Sequence, residues 1–209
     1  MRIRIYDLVV LAFALVVVPI AAQGGVDSAQ SREYQVKAAF LYNFIKFVDW
    51  PKEKIAGTNE PIIIGIIGKD PFGNAFEPIR AKKVKAKKIV IKRFRGFEKL
   101  RRKNKKDKSE LGRKIEALRK CHLLFICSSE KKNLKEIINS VKDHSVLTVG
   151  GMEGFLEAGG IIKFLMEEKK IRFEINVTAS KRAKLKIRSQ LLRLAKKVVK
   201  EKPSKETKS

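Results

Sequence analysis

Apolar positions in this chain follow three patterns, and each predicts a different element. The first is an unbroken run, Leu8 to Ala22 (LVVLAFALVVVPIAA), with Arg2 and Arg4 before it and small residues after it. A positive start, a short apolar run and small residues make a secretory signal. The run falls short of the ~20 residues of a membrane span. Residues 1–24 are therefore expected to be a signal peptide, cleaved after Ala22 or Gly24 so that the mature N-terminus lies between Gln23 and Val26, and the rest to work outside the cytoplasm; an uncleaved N-terminal anchor is the alternative.

The second pattern marks strands. Pro61 to Gly68 (PIIIGIIG), Cys121 to Cys127 (CHLLFIC) and Val146 to Val149 (VLTV) are short apolar runs that suit strands buried on both faces. Lys88 to Phe94 (KIVIKRF) alternates and predicts an outer strand. Ile161 to Met166 and Ile171 to Val177 alternate around Lys169 and Lys170 and predict a hairpin. With Glu167 set opposite Arg172 and Phe164 opposite Ile175, Ile162, Phe164, Met166, Phe173, Ile175 and Val177 share one face. Lys163, Leu165, Glu167, Arg172, Glu174 and Asn176 share the other, as side-chain alternation requires.

Helical spacing is the third pattern. Ser28 to Trp50 reads as a helix with Ser31 at its N-cap and Pro51 as its stop. Its later part, AAFLYNFIKFVDW, is apolar nearly all round, whereas a surface helix carries one stripe; it must be buried on two sides or form an interface. Further helices are predicted over Phe72 to Ala81, over Glu98 to Lys120 (Leu111, Ile115, Leu118), after a cap at Ser128 or Ser129 (Leu134, Ile137, Ile138, Val141), and over Ser180 to Lys200 (Leu185, Leu192, Ala195, Val199). RRKNKKDK, residues 101–108, reads as a basic loop or insertion, and residues 201–209 as a disordered basic tail. Strands alternating with helices predict an α/β fold with a mostly parallel sheet. The expected architecture is a single domain over 25–200. It is a doubly wound, Rossmann-like sandwich with helices on both faces and a C-terminal antiparallel hairpin.

Charge narrows the partners. Lysine and arginine number 48 against 22 acidic residues, a formal charge of +26. Such a surface favours acidic proteins, anionic head groups or nucleic acid, and export argues against nucleic acid. A plainly solvated lysine-rich surface is the alternative. Cys121 and Cys127, six residues apart on a strand, would lie ~20 Å from each other, too far for a disulfide.

Catalytic chemistry finds little support. His122 and His144 have no carboxylate at ligand spacing, and His122 with a cysteine is half a zinc site at most. Gly65 and Gly68 close a strand without a dinucleotide fingerprint or P-loop lysine. Asp70, Glu153 and Glu157 show no spacing that favours an acid pair, and Gly150 to Gly154 (GGMEG) is not a nucleophile elbow.

Other segments are more telling in combination: EYQVKAAFLYNFIKFVDWP (Glu33 to Pro51), CHLLFI (Cys121 to Ile126), LTVGGMEGFLEAGGIIKF (Leu147 to Phe164), IRFEIN (Ile171 to Asn176) and SQLLRLA (Ser189 to Ala195). In this order and spacing the chain resembles the YfiR-like family of periplasmic proteins, over about Glu33 to Lys197. The resemblance implies an α/β domain with no catalytic site and no cofactor. It implies a repressor that binds the periplasmic sensor domain of an inner-membrane diguanylate cyclase, is sequestered by an outer-membrane lipoprotein, and forms a homodimer. The partner-binding residues it points to are Phe155, Arg172, Glu174, Asn176 and Gln190. Two features depart from the family: too few cysteines for the disulfides of some members, and the basic run at 101–108. The alternative function is a periplasmic small-ligand-binding or enzymatic domain using the strand ends near Gly68, Asp70 and Gly150.

Overall fold

The computed structural model describes residues 24–55, 60–97 and 108–200. The export segment, nearly all of the basic run and the tail lie outside the described residues.

Helix α1 (Gly24–Phe47) leads into a two-residue strand β1 (Val48–Asp49) and a turn of helix α2 (Lys52–Ile55). Strand β2 (Ile62–Ile67), α3 (Glu77–Arg80), β3 (Lys83–Val84) and β4 (Lys87–Phe94) follow. Next come α4 (Lys108–Arg119), β5 (Leu123–Ile126), a 3₁₀ segment (Ser128–Asn133), α5 (Leu134–Val141) and β6 (Leu147–Gly150). The hairpin strands are β7 (Ile162–Glu167) and β8 (Lys170–Asn176); the chain then forms α6 (Val177–Arg182), β9 (Lys186–Ile187), α7 (Ser189–Leu194) and β10 (Lys197–Val199).

Eight strands form one sheet in the order β10-β8-β7-β6-β5-β2-β4-β3. From β4 to β7 every neighbouring pair is parallel. Read in chain order, these five strands lie second, first, third, fourth, fifth. That is the flavodoxin-type order of a doubly wound sheet, a strand order that the pattern of the sequence did not specify. Successive side chains point to opposite faces, so the apolar runs in β2 and β5 supply two cores. Ile62, Ile64, Ile66, Leu123 and Phe125 pack on one side with Leu41, Phe44 and Ile45 of α1. Ile67, Leu124 and Ile126 pack on the other with Leu118 of α4 and Leu134, Ile137, Ile138 and Val141 of α5.

The all-round apolar helix is explained by what encloses it. Ala38, Leu41, Phe44 and Ile45 are fully buried against the sheet, and Tyr34, Phe40, Tyr42 and Phe47 are partly covered from the flanks. The helix begins at Gly24, so Ser31 is internal rather than a cap. It ends at Phe47 rather than Trp50, because Val48 and Asp49 pair antiparallel with Ile187 and Lys186 of β9. Asp49 holds that junction: Arg188 Nη2 donates to it at 2.8 Å and Lys85 Nζ at 3.2 Å. The Arg188 hydrogen bond, joined by the Lys85 contact and the charges of both, lowers the Asp49 carboxyl to about 2 against the opposing effect of burial.

The β7–β8 hairpin is present with a register two residues from the expected one. Glu167 faces Lys170, Leu165 faces Arg172, Phe164 faces Phe173 and Ile162 faces Ile175. An even slip leaves every side chain on its expected face, which is why alternation alone did not detect it. The turn is Glu168–Lys169, with φ of 47° and 60°. Two left-handed central residues match the twist of a hairpin, although neither is the glycine or asparagine that adopts that conformation readily. The hairpin is also not the sheet edge, since β10 lies parallel to β8 outside it.

The last segment departs furthest from expectation. In place of one helix over Ser180 to Lys200 there are α6, β9, α7 and β10. Asn176 Oδ1 accepts from the Ala179 N–H and starts a helix early, and Lys184 at φ 55° ends it. Leu185 of the α6–β9 connection, Ile187 of β9 and Leu191 of α7 then reach the α1-side core. The expected stripe of Leu185, Leu192, Ala195 and Val199 is thus divided among separate segments, its apparent period set off only by the lysines and arginines between. Two smaller corrections concern helix starts: only Glu77–Arg80 of Phe72 to Ala81 is helical, and a 3₁₀ segment occupies Ser128–Asn133 before α5.

Candidate functional site

The first half of α1 and the tip of the β7–β8 hairpin form the walls of a groove. Arg32, Val36 and Phe40 are four residues apart and so share one helix face; Met166, Lys170, Ile171 and Arg172 stand opposite, around a volume of about 910 Å³. Phe40 anchors the wall, its ring 5.9 Å from Phe164 and 5.7 Å from Phe173. Val36 is 46% exposed and Met166 53%, high values for large apolar side chains that face each other. The rim is basic: Arg32, Lys169, Lys170 and Arg172 border it, and its one carboxylate, Glu33, is held by Lys37. An apolar floor between positive edges suits an acidic amphipathic segment, with burial of the apolar face as the driving force and the rim charges setting orientation and partner choice.

The five residues singled out from sequence do not form one surface. Phe155 is fully buried in the core beside α5, its ring held between Gly150 and Gly160. Asn176 is 1% exposed; besides capping α6 it donates to the Leu156 carbonyl at 3.3 Å. Neither offers surface to a partner: a buried ring and a capping amide belong to the fold. Arg172 and Glu174 lie on the outward face of β8. Arg172 borders the groove, and Glu174 is 3.8 Å from Lys163 across the hairpin. Gln190 is exposed on α7, whose Leu191 packs into the α1-side core. Sequence reasoning missed Arg32, Val36, Phe40 and Met166. The signal was available in α1, where apolar residues exceed what one buried stripe requires, but nothing local showed that the hairpin tip would meet that face.

The residues weighed for catalysis have other occupations. His122 is 7% exposed; its Nδ1 accepts from the Ile63 N–H and its Nε2 donates to the Lys54 carbonyl, both at 3.1 Å. Burial, reinforced by the Lys54 charge, lowers the imidazole to about 4 and keeps it neutral. Cys121 and Cys127 are free and buried, and burial raises their thiols to about 11 and about 12. Asp70 accepts from the Phe72 N–H at 2.8 Å and pairs with Arg93 at 2.5 Å. Glu153 and Glu157 are exposed on the turn after β6. No group of three or more potential metal ligands occurs among the described residues.

A family model described as YfiR/HmsC-like matches residues 34–196, which include the groove's Val36, Phe40 and hairpin wall. The chain belongs to this YfiR/HmsC-like family. The family is one of regulators rather than enzymes. No curated protein matches the chain. Among solved structures, a conserved domain protein from Vibrio cholerae O1 biovar eltor is similar with a TM-score of 0.50 and 11% identity, over 79% of this chain and 60% of that chain. At that identity the likeness concerns the α/β fold alone. No helix among the described residues is long and apolar enough to cross a membrane.

Proposed function

We propose that this YfiR/HmsC-like protein is a periplasmic regulator that represses an inner-membrane diguanylate cyclase, or a related membrane sensor, by direct contact. The groove between α1 and the hairpin is the observation that supports this most. It exposes Val36 and Met166 between basic edges, inside the segment that defines the family. The partner supplies an acidic amphipathic segment from its periplasmic domain. Arg172 meets that segment at the groove edge, and Glu174 and Gln190 extend the contact. The working form is a homodimer, and an outer-membrane lipoprotein relieves repression by sequestering it.

The test measures cyclic di-GMP in cells and the melting temperature of the purified protein in the same variants. Val36→Asp, Arg172→Ala and Gln190→Ala are expected to raise cyclic di-GMP with melting temperatures unchanged. Phe155→Ala is expected to lose repression only in proportion to lost stability. Loss of stability that accounts for every rise would reduce the groove to a part of the fold. Unchanged cyclic di-GMP on deletion of the whole protein would defeat the cyclase reading.

A further inference from the structure

The edge of the sheet formed by α7 and β10 carries a second exposed surface, and it shares no residue with the groove. The segment that builds it, Val177–Lys200, holds nine lysines and arginines and no aspartate or glutamate. Among the described residues only two of the nine form an ion pair, Arg188 with Asp49 and Lys196 with Glu167. The other seven are exposed. Their charge is therefore presented to whatever lies outside the protein.

Apolar side chains stand among these charges. Leu191 of α7 is buried in the α1-side core, but Leu194, one turn later, is 65% exposed, the highest value of any large apolar side chain among the described residues. Val198 of β10 is 37% exposed. It aligns with Ile175 of β8, so it points to the side of the sheet on which Leu191, Leu192 and Ala195 pack. Arg193 adjoins Leu194, and Lys197 and Lys200 flank Val198. Lysine on an outermost strand is an ordinary guard against pairing with another sheet. That guard does not account for Leu194 and Val198, because an exposed apolar side chain at an edge works against it.

Cations around protruding apolar side chains suit a bilayer interface. The apolar groups enter the boundary between head groups and acyl chains while lysine and arginine meet anionic head groups. A second copy of this chain fits less well. A two-fold contact sets one patch against the same patch, and would bring Arg193, Lys197 and Lys200 of both copies together. We propose that this edge docks the protein onto an anionic phospholipid bilayer, with Leu194 and Val198 at the head-group boundary and Arg193, Lys197 and Lys200 on lipid phosphates. Docking stands apart from the cyclase reading; its failure leaves the cyclic di-GMP outcomes above as they are.

The test uses purified protein beginning at Gly24, so that the apolar run Leu8 to Ala22 takes no part. Co-sedimentation is measured with vesicles of phosphatidylglycerol and phosphatidylcholine in equal parts, and with vesicles of phosphatidylcholine alone. Binding is expected only to the first, and is expected to fall as salt shortens the Debye length from ~10 Å at 0.1 M to ~3 Å at 1 M. Leu194→Asp should weaken it at least about tenfold. The triple variant Arg193→Gln/Lys197→Gln/Lys200→Gln should weaken it about a hundredfold, at about fivefold for each charge. Both variants change exposed side chains, and Lys196 is left in its pair with Glu167, so Tm should hold. The control, Lys83→Gln/Lys88→Gln/Lys92→Gln, removes three exposed cations at the opposite edge of the sheet, and should bind like the natural chain. An equal loss in the control would reduce the binding to net charge and overturn the proposal. Equal binding to both kinds of vesicle, or to neither, would overturn it as well. Undiminished vesicle binding by Leu194→Asp, with a dimer dissociated by that substitution, would assign the edge to a second copy instead.

Discussion

Lowering the pH from 7 to 4 should remove one identifiable part of this protein's stability, and the part belongs to His122. Its ring is fixed from both nitrogens: Nδ1 accepts from Ile63 and Nε2 donates to the Lys54 carbonyl. Protonation would place a second ring N–H against the Ile63 N–H, donor against donor, in a buried site beside the Lys54 charge. The folded-state value of about 4 lies below the ordinary 6.5. The unfolded chain therefore binds the proton first as pH falls. The contribution is complete above pH 6.5, declines between 6.5 and about 4, and is gone below. In that window the slope is about 1.4 kcal/mol per pH unit, and the total is about 3 kcal/mol. Urea unfolding at a series of pH values measures it. The control is His122→Asn, whose Oδ1 can replace the acceptor but does not titrate. It should be less stable than the natural chain at pH 7, and its curve should lack the His122 slope from 6.5 to 4. All other groups titrate in both proteins and cancel in the difference. Parallel curves, or an imidazole that titrates near 6.5 in the folded protein, would refute the reasoning.

Three further outcomes are expected. Phe164→Ala empties a site 2% exposed, stacked on Phe44 at 5.5 Å, and should cost about 3–5 kcal/mol in urea unfolding. Gly160→Ala puts a Cβ 2.2 Å from the Phe155 ring and 2.7 Å from its carbonyl oxygen; it should cost about 1–3 kcal/mol, and less in a Phe155→Leu background, as a double-mutant cycle would show. Asp49→Asn should cost about 0.2–1 kcal/mol at pH 7, the range for an exposed ion pair. Because the folded Asp49 carboxyl is depressed, that difference should persist above the ordinary carboxylate range and fade as pH falls toward about 2.

Sequence alone determined what local chemistry determines. The short continuous apolar runs of β2, β5 and β6, bounded by turn residues, suited strands covered on both faces, and alternation in β7 and β8 settled which side chains face inward. The over-apolar α1 had to be enclosed or to form an interface. Tertiary structure encloses Leu41 and Phe44 and leaves Val36 open beside Met166. Register was beyond alternation because a two-residue slip changes no face; Phe164 meets Phe173 because Glu168 and Lys169 accept left-handed backbone. The C-terminal segment misled because helical spacing among lysines is weak evidence, and Leu185, Ile187 and Leu191 are recruited by a core built from residues far away. The groove depends on such distant pairing: Arg32 and Arg172 are 140 positions apart, and only the packing of α1 across the sheet brings the hairpin tip to its open face.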